Sequence, residues 1–482
     1  MKSQKLTSIL LLAALLAGCG AADAPQNSDT SDTTAATTPA ETEIPYTYPE
    51  INWGGEVFAI LNTTNSYGQY TTIDLPEATG DILDDAVYNR NRRMEERFNF
   101  VMEVTDKDVN SAESTARSTI MAGDDVYEFV YLQATRCPNL MKSDALVDLS
   151  DVPELSLESP WWDQSTAAGA RIGEAESIFF AENYFSLMGF DCTLCMYVNE
   201  SMLETLGQSA PYDLVREGKW TFDEMLRFTK LGANLNGAND FVHKADSPAT
   251  YGLTTWATGV MGLMIGMEAY FAEINDEGMP EILMNNEHFL NTADILAAKL
   301  TSVAGEFLIP DGSVGNHEAT FMNSDALLMV GQICTTKKYR EMNDNYGILP
   351  LPKLDENQKE YHNLISNTQL LMTLPVTNAN REEAAAIMDA MAYASFTDVL
   401  PVYYDFTVSR KGLRNEDSIE MLDIIRETRY FNPGEAYGWT KTLRGNVVNQ
   451  LIEGNGAIAS TVATALPAAE KLIEATMEIV NS

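Results

Sequence analysis

Three short apolar runs separated by two helical repeats, all between residues 56 and 132, constrain this chain more than any other stretch. Residues 56–61 have the composition of a short strand that ends in Asn62-Thr-Thr-Asn65. Leu83, Val87, Met94 and Phe98 then recur at helical spacing, so one face of residues 83–98 is apolar. Residues 100–104 predict a second strand. Residues 111–122 predict a second helix, with Gly123 placed as its C-terminal stop. Residues 126–132 predict a third strand. The order β-α-β-α-β argues for an α/β chain with a doubly wound, mostly parallel sheet. Ligands of such sheets sit outside the carboxyl ends of the strands. That rule nominates Asn62, Thr63, Asn65 and Gln133 for ligand contact, against ordinary turn chemistry as the alternative.

Further along, Thr221-Phe-Asp-Glu224 has the pattern of a capping box that opens a helix carrying Met225, Phe228 and Leu231. Residues 251–256 predict a short strand and turn, and residues 271–282 a hairpin turning at 276–278. Residues 380–394 open with Asn-x-x-Glu and continue Ala-rich, as a helix does. There is no internal repeat. A length of 482 residues leaves room for more than one lobe. The mean hydropathy of -0.16 argues against multiple membrane spans. A net charge of -39 repels nucleic acid and anionic lipid, and is compatible with neutral or cationic small ligands.

The chain starts with Lys2 and Lys5 followed by an apolar run over residues 9–17. That run is too short for a span, which needs about 20 residues, and suits the apolar part of a signal peptide covering 1–18. Leu16-Ala17-Gly18-Cys19 resembles a bacterial lipoprotein box, which implies cleavage before Cys19 and its lipidation. An ordinary secretory signal with an incidental Cys is the alternative. Residues 20–45 are small, polar or acidic, with Ile44 as the one large aliphatic side chain and no aromatic. They cannot bury enough apolar surface to offset ordering, so 19–48 is expected to be a lipidated flexible linker. The body is then tied to a membrane by acyl chains rather than by a helix.

Five further stretches occur in a telling order. They are Gly80-Asp-Ile-Leu-Asp-Asp-Ala-Val-Tyr-Asn-Arg-Asn-Arg-Arg-Met-Glu-Glu-Arg-Phe98, Gly218-Lys-Trp-Thr-Phe-Asp-Glu-Met225, and Phe321-Met-Asn-Ser-Asp-Ala-Leu-Leu-Met-Val-Gly-Gln332. Tyr346-Gly-Ile-Leu-Pro-Leu-Pro-Lys353 and a strand with an Ala-rich helix over 370–393 follow. In this order, behind a lipoprotein signal, they resemble the extracellular solute-binding lipoproteins of ABC importers, the maltose-binding-like, carbohydrate-type group. The resemblance implies a two-lobe, periplasmic-binding-protein-like (type II) fold with discontinuous lobes and a hinge. Residues 49–160 with 366–428 would form lobe 1, and 161–365 with 429–482 lobe 2. A small ligand, a sugar or oligosaccharide, would be captured in the inter-lobe cleft by hinge closure and passed to an ABC permease. No cofactor, metal, nucleic acid or bond chemistry is implied, and the protein would be an extracytoplasmic monomer anchored through Cys19. Two positions depart from the pattern. Gln332 follows Gly331 where many sugar binders carry an aromatic residue shortly afterwards, and Ser324 stands where Gly is usual.

Sugar recognition of this kind uses aromatic faces together with amides and carboxylates. Trp53 and Trp220 have the surroundings of structural residues. For Trp162, Trp256 and Trp439, ligand contact and core packing stand as alternatives, and Tyr437 shares the segment Glu435-Ala-Tyr-Gly-Trp439. Glu182, Asn183 and Gln332 complete the candidates. Arg90, Arg92, Arg93 and Arg97 form either a solvated helix face, with Arg92 and Glu96 at i,i+4, or a docking surface for the permease. Cys192-x-x-Cys195 is expected to be a structural disulfide or a pair of buried thiols. Zinc or redox chemistry is the weaker alternative, since no second such pair and no nearby His accompanies it. The nucleophile-elbow, phosphate-loop, dinucleotide and zinc-protease motifs are absent. Asp106 to Asn110 begins like a calcium loop, but Ser111 and Arg117 occupy the positions of its Gly and Glu. A glycoside hydrolase, which needs only two carboxylates, and a ligand-binding partner of a membrane sensor are the alternative functions.

Overall fold

The alternation over residues 56–132 builds the first of the two larger sheets among the described residues. β1 (Val57–Thr64) lies between β2 (Val101–Asp108) and β3 (Phe129–Gln133), parallel to both. Between the strands run α1 (Ile82–Phe98) and α2 (Val109–Ala122). Asp81 caps α1 by accepting from the Leu83 and Asp84 amides, and Asp108 caps α2 through Asn110 and Ser111. Gly123, at φ 78°, ends α2 in the left-handed region where a side chain would be strained. Alternate residues of β1 serve opposite faces. Phe58 meets Phe100 and Phe129 at 5.1 and 6.3 Å between ring centroids. Leu61 packs with Ala112, Ala116 and Ile120 of α2.

This computed structural model describes residues 45–300, 303–310, 316–404, 413, 415–454 and 458–481. The expected signal segment, Cys19 and most of the linker lie outside the described residues. The chain divides into two units, Met1–Thr47 and Tyr48–Ser482, and every element named here belongs to the second. Among the described residues no helix is long and apolar enough to cross a membrane.

The second sheet contains β4 (Leu194–Asn199), β5 (Tyr251–Thr254), β8 (Phe307–Leu308), β9 (Ala326–Gln332) and β10 (Tyr346–Leu349), in the order β10-β4-β9-β5-β8. β6 (Ala272–Ile274) and β7 (Pro280–Ile282) form the expected hairpin. β4 and β9 are buried along nearly their whole length. The helix Phe222–Gly232, capped by Thr221 as its box predicts, packs on this sheet through Met225 and Phe228. β12 (Leu370–Thr373) returns to the first sheet and joins β3 antiparallel. A strand arriving from elsewhere is not bound by the direction of the βαβ units, so the sheet is mixed.

Three segments connect the sheets and hydrogen-bond to one another. The Met372 amide donates to Ala181 O at 2.8 Å, the Ser366 amide to Cys192 O at 3.1 Å, and the Ile365 amide to Tyr430 O at 3.0 Å. β11 (Asn363–Leu364) and β13 (Arg429–Tyr430) form a parallel pair within this strap. Two later helices pack on these two sheets. The helix Glu416–Glu427 packs on β10 of the second sheet, where Ser418 Oγ accepts from the Ile348 amide at 3.2 Å. The end of the helix Ile458–Val480 packs through Leu472, Ile473 and Met477 into a cluster with Leu61, Val130 and Leu371 of the first sheet. Helical periodicity identifies an apolar face but not the surface it covers.

Candidate functional site

The carboxyl ends of β1, β5 and β9 converge on one cavity of about 410 Å³. The loop after β1 contributes Ser66, Tyr67 and Gln69; the turn after β5 contributes Trp256 and Thr258. Asn316, His317 and Glu318 open a short helix, Gln332 ends β9, Lys338 follows it, and Ser366 and Thr368 come from the connecting strap. The cavity thus has walls from both sheets and a floor from the strap between them. Clefts at strand carboxyl ends are where open α/β sheets bind ligands.

The two walls touch. Gln69 Nε2 donates to Gln332 Oε1 at 2.6 Å. Gly68, at φ 101°, lets its loop pass close over Lys338; a Cβ there would lie 3.2 Å from Lys338 Cε. Trp256 stacks on His317 with centroids 4.2 Å apart and planes at 16°. Burial pushes the His317 imidazole down to about 4, with Glu318 opposing and Lys338 reinforcing, so the ring is neutral at ordinary pH. Lys338 Nζ donates to Glu318 Oε2 at 2.6 Å, and Thr335 Oγ1 to Glu318 Oε1 at 3.2 Å. In a strongly acidic chain, the described lining balances one carboxylate against one ammonium. The rest is amide, hydroxyl and aromatic surface. Such a lining can hydrogen-bond hydroxyls and cover an apolar ring face without attracting net charge.

Of the residues nominated from sequence, Trp256 and Gln332 line this cavity, and Asn65 lies immediately before its first loop. The others are placed elsewhere. Asn62 is fully buried and donates to Asp106 Oδ1 at 2.8 Å and Thr71 O at 3.0 Å; Thr63 Oγ1 donates to Tyr131 O at 2.8 Å. β1 runs to Thr64, three residues beyond the expected end, so both are strand residues turned inward. Gln133 is half-buried at the end of β3. Trp162 is buried, and its indole shares Asp389 Oδ1 with that of Trp161, at 2.9 and 2.8 Å. Trp439 stacks on Tyr437 at 4.8 Å and donates to Thr476 Oγ1 at 3.0 Å, and both rings are buried. Trp162, Tyr437 and Trp439 thus lie in the interior, away from the cavity lining.

Asn183 accepts from the Tyr131 hydroxyl at 3.0 Å, also in the interior. Glu182 faces Arg429, whose Nη2 lies 3.6 Å from its Oε1 and also pairs with Asp163. Burial pushes the Glu182 carboxyl up to about 8 and the Arg429 guanidinium down to about 10. This buried charge cluster belongs to the strap, not to the cavity.

The remaining motifs serve structure. Trp220 is buried and donates to Pro350 O at 3.0 Å. Cys137, Cys192, Cys195 and Cys334 are buried free thiols. Arg90 is buried, donating to Ile73 O at 2.8 Å and Phe185 O at 3.2 Å. Arg92 pairs with Asp74 at 3.0 Å and Glu95 at 2.9 Å, Arg93 pairs with Asp398, and Arg97 lies 4.0 Å over the Tyr48 ring. Each cation of that cluster has its own partner. Sequence reasoning missed the other ten lining residues, Ser66, Tyr67 and Gln69 among them. An exposed Tyr beside Gly, just beyond a strand's carboxyl end, was the available signal.

Two mixed sheets joined by a three-segment strap, with a cavity at strand carboxyl ends, have the two-lobe fold seen in several solved solute-binding proteins. No family model matches the chain, and no curated protein matches it. Among solved structures it is similar to an ABC substrate-binding protein of Listeria monocytogenes in complex with cycloalternan. That match has 12% identity and a TM-score of 0.56, and covers 88% of this chain and 99% of the other. It is similar to the GacH receptor of Streptomyces glaucescens, solved unliganded and with acarbose, at 12% identity and TM-score 0.55, covering 87% and 98%. It is also similar to the maltose/maltodextrin-binding domain MalE of Bdellovibrio bacteriovorus bound to maltotriose. There the identity is 14% and the TM-score 0.52, with coverage of 88% and 100%.

Proposed function

We propose that this chain is a solute-binding protein that captures a neutral carbohydrate in the cavity between its two sheets and delivers it to an ABC importer. The observation that carries this is the cavity lining. Trp256 and Tyr67 supply aromatic surface, Gln69, Gln332, Asn316 and the hydroxyls supply hydrogen bonds, and Glu318 is neutralised by Lys338. Carbohydrate ligands named for the three similar structures (cycloalternan, acarbose and maltotriose) support the same class. Lobe 1 is built on the first sheet and lobe 2 on the second, with the helix Glu416–Glu427 assigned to lobe 2. The strap is the hinge, and closing it buries the ligand.

The protein acts by binding, without bond chemistry. Glycoside hydrolysis uses two carboxylates flanking the scissile bond, whereas among the described residues lining this cavity Glu318 is the one acid. The mature chain is a monomer held at the outer face of the membrane through lipidated Cys19, where it meets its permease. A thermal-shift screen against neutral mono- and oligosaccharides tests the reading, because a ligand that prefers the folded state raises Tm by mass action. A concentration-dependent rise with one class of sugar is expected. A flat response across neutral sugars, with a rise for a charged solute, would replace this reading.

A further inference from the structure

Asp191 ends the short helix Met188–Asp191 in the first connecting segment, and its carboxylate is 0% exposed. Donors from three other parts of the molecule converge on it. The Tyr70 backbone N–H, in the loop that leaves the first sheet, donates to Oδ2. Lys337 Nζ, on the turn that follows β9 of the second sheet, donates to the same oxygen at 2.9 Å. The Tyr403 hydroxyl, following the helix Leu400–Val402 that packs near α1, donates to Oδ1. Lys337 Nζ lies 5.5 Å from the ring centroids of both Tyr70 and Tyr403, so the ammonium is enclosed by the carboxylate and two aromatic faces. Tyr70 is held in turn by its hydroxyl, which donates to Asp84 Oδ1 at 2.7 Å.

Asp191, Tyr70, Lys337 and Tyr403 do not line the cavity, but residues beside Tyr70 and Lys337 do. Tyr70 follows Gln69, and Lys337 precedes Lys338. Gln69 and Lys338 stand on opposite walls. A buried carboxylate is tolerable only while its charge and lone pairs are matched, and breaking such a set leaves an uncompensated charge. Separating the walls takes either the Tyr70 amide or the Lys337 ammonium away from Asp191. The arrangement is therefore complete only when the cleft is shut.

We propose that Asp191 is a positioning residue that fastens the closed cleft, holding Gln69 through the Tyr70 amide and Lys338 through Lys337. The proposal rests on the reading of this cavity as the ligand site. It predicts that loss of the fastening favours the open form and speeds ligand escape, since removing one partner of a buried charge pair acts mainly on dissociation.

The test uses the full chain and three variants, Asp191→Asn, Lys337→Met and Tyr403→Phe, each checked by circular dichroism and Tm. X-ray scattering without ligand should show a larger radius of gyration for Asp191→Asn and Lys337→Met than for wild type, with Tyr403→Phe between. With maltotriose as probe, followed by tryptophan fluorescence in stopped flow, dissociation should quicken about tenfold while association changes little. Tyr403→Phe removes a single hydroxyl and keeps the ring, so it remains informative should Asp191→Asn fail to fold. Folded variants that keep the wild-type radius and dissociation rate overturn the proposal. If wild type ignores maltotriose, the choice of sugar fails, and the scattering comparison alone decides the fastening: unchanged radii overturn it, enlarged radii support it.

Discussion

Gln69 and Gln332 share a 2.6 Å hydrogen bond that joins the loop leaving the first sheet to the last residue of the second sheet's central strand. On the proposed function, a solute bound between the sheets would meet both amides. Replacing Gln332 by Ala removes one such partner from the cavity wall. A net hydrogen bond contributes about 0.5–1.5 kcal/mol, so sugar affinity should fall by about three- to tenfold with Tm little changed. Calorimetric titration of wild type and variant checks this; equal affinities would remove Gln332 from the site.

Trp256 and Trp439 should respond in opposite ways. Trp256 is half-buried in the cavity wall, whereas Trp439 is buried between Tyr437 and Thr476. Trp439→Ala should destabilise the fold by about 3–5 kcal/mol, the usual cost of emptying an aromatic core position. Trp256→Ala should leave Tm closer to wild type and weaken sugar binding. Urea unfolding beside ligand titration separates the two.

Trp161 and Trp162 both depend on Asp389, whose Oδ1 also accepts from the Ser156 amide at 3.0 Å. Asp389→Ala withdraws one acceptor from three buried or half-buried donors, at about 1–3 kcal/mol for each donor left unmatched. Asp389→Asn keeps an acceptor and should lose less. Thermal unfolding that ranks Asn at or below Ala would contradict this placement.

Glu128 sets a pH dependence. Burial raises its carboxyl to about 7, against the pull of the Ala59 amide, which donates to its Oε2 at 2.6 Å. The folded chain therefore retains a proton that the unfolded chain releases near pH 4.3. Stability attributable to this group is present below about pH 4.3 and is lost as pH rises toward 7. With part of the side chain in solvent, the loss is on the order of 1 kcal/mol after screening. Unfolding at pH 5 and pH 8 should show it in wild type and not in Glu128→Gln; parallel behaviour of the two would refute it.

The first sheet was legible because each of its signals is local. Leu83, Val87, Met94 and Phe98 share a helix face, and Gly123 stops α2 where its missing Cβ permits a left-handed turn. The site was legible only in part. Trp256 lies just past β5 and Gln332 ends β9, at the carboxyl ends where such sheets hold ligands. Asn62 and Thr63 obey the same rule on paper, but β1 continues through them, because strand ends are set by pairing with β2 rather than by composition. Trp162, Tyr437 and Trp439 carry the chemistry of sugar contacts, yet their partners, Asp389 and Thr476, are distant in sequence. Which aromatic residues face a cleft is decided by that long-range packing.

The proposed function is reversible capture of an unaltered neutral sugar by the closing of two lobes. Isothermal titration of the full chain with a malto-oligosaccharide series, the sugar being recovered afterwards for mass analysis, tests it most directly. The account predicts saturable one-to-one binding by at least one member, weakened in Gln332→Ala, with the sugar recovered intact. Recovery of shortened sugar, or no binding by any member, would contradict it.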